Sequence, residues 1–151
     1  MDKALTGAAG EYYIAFRLSA LGYAIGLTTR GTRAADLLAS NPETGKSIIV
    51  QTKTMINAFV KNQKSGSYWH WRIGSSRPQP RETFYYMFVD LRGDPSKSPD
   101  VFVVPSLKIK PLLVEYTNYT GCAIYERDKK TKKAYLNRWD IIEKALGTNP
   151  T

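Results

Sequence analysis

Residues 35–54 read ADLLASNPETGKSIIVQTKT, and the interpretation of this stretch decides the fold. Two strand-like runs, 35–40 and 47–54, flank Asn-Pro-Glu-Thr-Gly, residue types that pre-set turn dihedrals or bond back to their own backbone. The segment is therefore expected to be a β-hairpin. With residues 42–45 as the loop, Asn41 faces Lys46 and, counting inward along the strands, Asp36 faces Gln51. A bulge would break that register. Without one, strand alternation puts Asp36, Gln51 and Lys53 on one face and turns Thr52 to the other, its carbonyl in the plane of the sheet.

On the N-terminal side, residues 5–21 have helical spacing: Ile14, Leu18 and Leu21 form a stripe, and Gly22 supplies a stop. Either Thr6 or Asp2 can cap the start, with Gly7 and Gly10 inside the helix in the second case. Residues 23–29 read as a short strand and 30–34 as a basic loop. On the C-terminal side, YWHWRI (68–73), FYYMFVDL (84–91) and VFVV (101–104) are strand-like, with Pro105 closing the last. Residues 55–67 show no periodicity, and 107–119 read as partly helical around Pro111. The run RDKKTKK (127–133) reads as a solvated turn. A final helix follows, with Asn137 as N-cap, Trp139, Ile142 and Leu146 as its stripe, and Gly147 as its stop. This order implies one α/β or α+β domain over residues 1–151, a mixed central sheet flanked by helices.

A chain of 151 residues buries enough surface for one sizeable core, and 42% hydrophobic content with 12% aromatics excludes a disordered or fibrous chain. The only cysteine, Cys122, and the only histidine, His70, are too few for a cysteine-based zinc site or an internal disulfide. An intracellular, cytoplasmic location is expected on that basis, and no membrane insertion, since the apolar runs are strand-sized. The 22 basic residues against 13 acidic ones leave a net charge of +9, which favours a polyanionic partner. Between Thr44 and Arg81 there are seven basic residues and no acid. Arg30, Arg33, Lys61, Lys64, Arg72, Arg77 and Arg81 are the candidate phosphate contacts.

Glu11 falls within about 60° of Ile14, Leu18 and Leu21 on the helix, close to the stripe that faces the sheet. A carboxylate turned toward a core needs a hydrogen bond, a cation or a metal. Gly7 and Gly10 on that side allow a close approach between helix and sheet. If the helix crosses the face carrying Asp36, Gln51 and Lys53, Glu11 adds a second carboxylate there. Such hard oxygen donors suit Mg²⁺ or Mn²⁺, and a lysine beside them can orient an attacking water and offset charge on a phosphate. The plainer reading is an Asp36–Lys53 cross-strand pair worth a fraction of a kcal/mol, about 0.2–1.

Gly10-Glu11 on a first helix, Asp36-Leu37 on one strand and Gln51-Thr52-Lys53 on the next resemble the core of the PD-(D/E)xK nuclease superfamily, the restriction-endonuclease-like fold. The resemblance extends more loosely through FYYMFVDL and VFVVPS. It implies a Mg²⁺-dependent endonuclease acting on DNA. Asp36 would be the principal metal ligand, and Gln51 and the Thr52 carbonyl further ligands. Glu11 would bind directly or through water, and Lys53 would position the attacking water. Ala35 stands where the family's name-giving proline would be, and Gln51 replaces the usual acid, as in branches that include some intron-encoded homing endonucleases. The resemblance also implies a symmetric homodimer for cutting both strands. The alternative expectation, motivated by Gln51, is a nuclease-fold module that binds DNA or a protein partner without cutting.

Overall fold

The computed structural model describes residues 1–29, 35–74 and 80–149. Helix α1, Lys3–Ala20, starts at Asp2, whose Oδ1 accepts the Ala4 N–H at 2.7 Å. The cap is thus the earlier of the two candidates. Its buried face is a strict step of four, Thr6, Gly10, Ile14 and Leu18. Leu21, expected on the stripe, is only partly buried at the helix end. Gly10 is where the helix comes closest to the sheet: a Cβ there would collide with the side chain of Thr54.

Five strands form a mixed sheet in the order β1 (Ala24–Leu27), β2 (Leu37–Ser40), β3 (Ser47–Met55), β6 (Phe84–Asp90), β7 (Asp100–Pro105). Among the described residues only β3 and β6 run parallel. The hairpin holds the expected register, Ser40 opposite Ser47 through Leu37 opposite Val50, with the Asn41 N–H bonded to the Lys46 carbonyl. Alternation along β6 and β7 makes the sheet apolar on both faces. Met87, Val89, Val101 and Val103 pack with α1 and with α3 (Asp140–Leu146), through Ile14, Leu18, Ile142 and Leu146. Phe84, Tyr86, Phe88, Phe102 and Val104 point the other way.

That second face is covered by an antiparallel sheet in the order β4 (Phe59–Val60), β5 (Tyr68–Gly74), β9 (Thr120–Tyr125), β8 (Leu113–Glu115). Trp69, Trp71 and Ile73 of β5 and Cys122 and Ile124 of β9 fill the space between the sheets. The Trp71 indole N–H is satisfied across the layers by the Val89 carbonyl at 2.9 Å. The domain therefore has three layers, helices on a mixed sheet on a second sheet.

Two sequence expectations are corrected here. The run at 127–133 is not a turn: Lys129–Tyr135 is a helix, α2, capped by Asp128, which accepts the Thr131 N–H at 3.1 Å. Asn137 does not cap α3. It sits at φ +52, its amide oxygen accepts the Val101 N–H at 2.9 Å, and Trp139 takes the cap position. Residues 107–119 hold two 3₁₀ turns, Ser106–Lys108 and Lys110–Leu112, before β8. No helix among the described residues is long and apolar enough to cross a membrane.

Candidate active site

Strand β2 stops at Leu37 while β3 runs on to Met55, so the last part of β3 has an open edge. Backbone direction on β3 alternates. Ile49 donates to the Thr83 carbonyl on the β6 side at 2.8 Å, whereas the Val50 carbonyl, on the β2 side, accepts the Asp36 N–H at 2.9 Å. Thr52, two residues on, presents its N–H and carbonyl to the edge that β2 vacates. Asp36 fills part of that gap: its Oδ2 accepts the Thr52 N–H at 2.7 Å and the Thr52 hydroxyl at 3.3 Å. Asp36 is thus not a simple ladder partner of Gln51. Its N–H turns to Val50, and its carboxylate satisfies a backbone donor that a longer β2 would have paired.

The open edge is one wall of a cleft of about 810 Å³. Glu11, Asp36, Thr52 and Lys53 all line it. Gln51 does not line it, although it shares a face of β3 with Lys53. The route by which Glu11 arrives differs from expectation. Helix α1 packs on the face carrying Thr52 and Thr54, and Gln51 and Lys53 face the second sheet with Ile49. Glu11 lines the same cleft as Asp36 and Lys53, at the end of the sheet where Gly10 seats the helix directly on Thr54. A Cβ added at Gly7 would meet nothing within 4 Å, and Gly7 lines the same cleft, so its missing side chain widens it.

Burial pulls the Lys53 ammonium below the ordinary lysine range, and the Asp36 carboxylate offsets part of that fall. Asp36, Glu11 and Thr52 are among the oxygen-bearing residues that line the cleft. Among the described residues no group of three or more His, Cys, Asp or Glu side chains converges to hold a metal.

The basic candidates separate. Arg72 lines the cleft, its guanidinium 4.6 Å from the centre of the Tyr119 ring. Lys61 lines a different cleft, of about 630 Å³, with Asp90, Arg92 and Asp100. Lys64 is exposed in the turn after β4. Arg81 stacks over Phe84 at the far end of β6, and the four residues from Phe84 to Phe88, which pairs with Lys53, span about 13 Å. Arg30, Arg33 and Arg77 lie outside the described residues. Sequence reasoning missed Lys3, Asn57 and Trp71, which also line the cleft. Lys3 carried a usable signal, since Lys3, Gly7 and Glu11 follow one another at steps of four along the helix.

No protein-family model and no curated protein sequence matches the chain. Among solved structures it is similar to the bacterial homing endonuclease I-Ssp6803I, with a TM-score of 0.60 and 18% identity over 95% of this chain and 94% of that one. The shared feature is the fold, which is nuclease-like from end to end of the domain.

Proposed function

We propose that the cleft is a metal-dependent phosphodiesterase site and that the protein is a DNA endonuclease with a Gln-x-Lys form of the PD-(D/E)xK centre. The observation that carries this reading is that Glu11 of α1, Asp36 just before β2, and Thr52 and Lys53 of β3 line one cleft. The fold neighbour is itself a homing endonuclease, and the net charge of +9 suits a nucleic acid.

The donor set fits Mg²⁺ or Mn²⁺, hard ions that take carboxylate and carbonyl oxygens and keep several waters. When bound, such an ion polarises the phosphate and makes water more acidic. Asp36 would hold it, with the Thr52 carbonyl, Glu11 and Gln51. The Asp36 carboxylate is already fixed in direction by the Thr52 N–H and hydroxyl. Lys53, whose ammonium gives up its proton more easily than an exposed lysine's, would orient the attacking water and, in its neutral form, accept the proton that water loses. Lys3 and Arg72, on opposite walls, draw the flanking phosphates in.

A second reading is a non-cutting DNA-binding module on the same fold. Gln51 in place of an acid favours it, together with the lack of a three-acid cluster among the described residues. Incubating supercoiled plasmid with wild type, Asp36→Ala and Lys53→Ala in Mg²⁺ and in Mn²⁺ separates the two. Nicking by wild type alone supports the nuclease; salt-sensitive binding with no cutting by any of the three supports the module.

A further inference from the structure

Among the described residues no helix or further sheet packs on the outer face of the second sheet, where only Tyr116 and Tyr119 lie against His70 and Gly121. Alternation sends Trp69, Trp71, Cys122 and Ile124 inward, which leaves Tyr68, His70 and Arg72 of β5 and Gly121, Ala123 and Tyr125 of β9 outward. None of these outward positions is acidic. Small residues occupy the middle of β9, and a side chain at Gly121 would meet the His70 ring at 2.7 Å and the Tyr116 ring at 3.1 Å. Glycine therefore leaves room for the His70 and Tyr116 rings against β9. Tyr116 and Tyr119 stack at 4.6 Å with their planes 17° apart, and His70 meets both edge-on at 5.6 and 6.1 Å. Two guanidiniums border the rings, Arg72 over Tyr119 at 4.6 Å and Arg127 over Tyr125 at 5.0 Å. Tyr116 and Tyr125 remain 42% and 38% exposed.

Exposed rings with arginines beside them are what an unpaired strand needs: π-faces for bases and cations for phosphates. Arg72 also lines the cleft, so the ring surface and the cleft share that side chain. We propose that this face binds an unpaired DNA strand that leads into or out of the cleft, a base stacking on the outer face of Tyr116, which Tyr119 backs. The assignment rests on the nuclease reading for its purpose and names a substrate with a single-stranded segment.

Binding is measured in EDTA, where cutting does not enter, so failure here and failure of the nuclease reading are distinguishable. Anisotropy of a labelled oligothymidylate of about 12 nucleotides and of a duplex is compared for wild type, Tyr116→Ala, Tyr119→Ala and Tyr116→Phe at low salt. The alanine variants should lose about tenfold or more in affinity for the single strand, Tyr116→Phe less than about twofold, and duplex binding should hold. In parallel, wild type is photocrosslinked to an oligonucleotide carrying 5-iododeoxyuridine and the adducts are mapped. Adducts on the tyrosines of this face support the proposal even if the alanine variants do not fold. No single-strand binding, unchanged affinity in folded alanine variants, or adducts confined to other surfaces would overturn it.

Discussion

Thr52 donates its backbone N–H to Asp36 Oδ2 at 2.7 Å, two residues past the last rung that β3 shares with β2. The bond makes Asp36 both a structural acceptor and a carboxylate held at the cleft, and these two roles come apart by mutation. Asp36→Asn keeps an oxygen for the Thr52 N–H and should leave stability within about 1 kcal/mol of wild type. Asp36→Ala strands that N–H and should cost about 1–3 kcal/mol. Both should lose DNA cleavage. Urea denaturation run beside a plasmid assay checks the split, and equal stability of the two variants would contradict the bond's structural role.

Lys53 should weaken the fold at neutral pH, and the effect has a defined pH dependence. Its proton is lost more easily in the folded chain than in the unfolded one, where the ordinary value is 10.5. Between the lowered value and 10.5 the unfolded chain therefore binds more protons, and stability rises with pH across that window. Lys53→Met lacks this rise. Its Tm should exceed that of wild type at pH 7 and the gap should close toward pH 10, while cleavage is lost throughout. Tyr86, whose phenol burial pushes up to about 12, is common to both proteins and cancels in the comparison.

Gly10 and Gly7 should respond to alanine with opposite signs. A methyl at Gly10 drives into Thr54, so Gly10→Ala should cost about 1–3 kcal/mol despite alanine's better helix propensity. It should also lower cleavage, because α1 carries Glu11. A methyl at Gly7 meets nothing within 4 Å, and Gly7→Ala should gain up to about 1 kcal/mol. Thermal melts of the two variants give the answer directly.

The parts legible in the sequence are those whose periodicity is local. The hairpin register followed from its turn residues, α1 from its apolar spacing, and β6 and β7 from runs of aromatic and β-branched residues. The register failed only at Asp36, where the main chain leaves the ladder for the Val50 carbonyl, a choice made by tertiary contacts. The second sheet was half invisible. Residues 120–125 carry Gly121 and Cys122 where a strand pattern would show branched side chains, and their pairing with β5 is held by residues some fifty positions away. Helix α2 has no buried residue, so no hydrophobic period announces it. Glu11, Asp36 and Lys53, expected from the sequence to share a site, line one cleft, but the helix was expected on the wrong face of the hairpin. That error traces to Thr54, whose contact with Gly10 decides the face and which no motif singles out.

The central claim is that Asp36, the Thr52 carbonyl and Glu11 together hold one divalent ion. A crystal grown with Mn²⁺ and measured at a wavelength giving anomalous signal tests it most directly. The account predicts a single strong peak at coordination distance from Asp36 and the Thr52 carbonyl, with Glu11 bound directly or through one water, and loss of that peak in Asp36→Ala. A cleft that stays empty of anomalous density at millimolar Mn²⁺, or a peak that survives in Asp36→Ala, would contradict it.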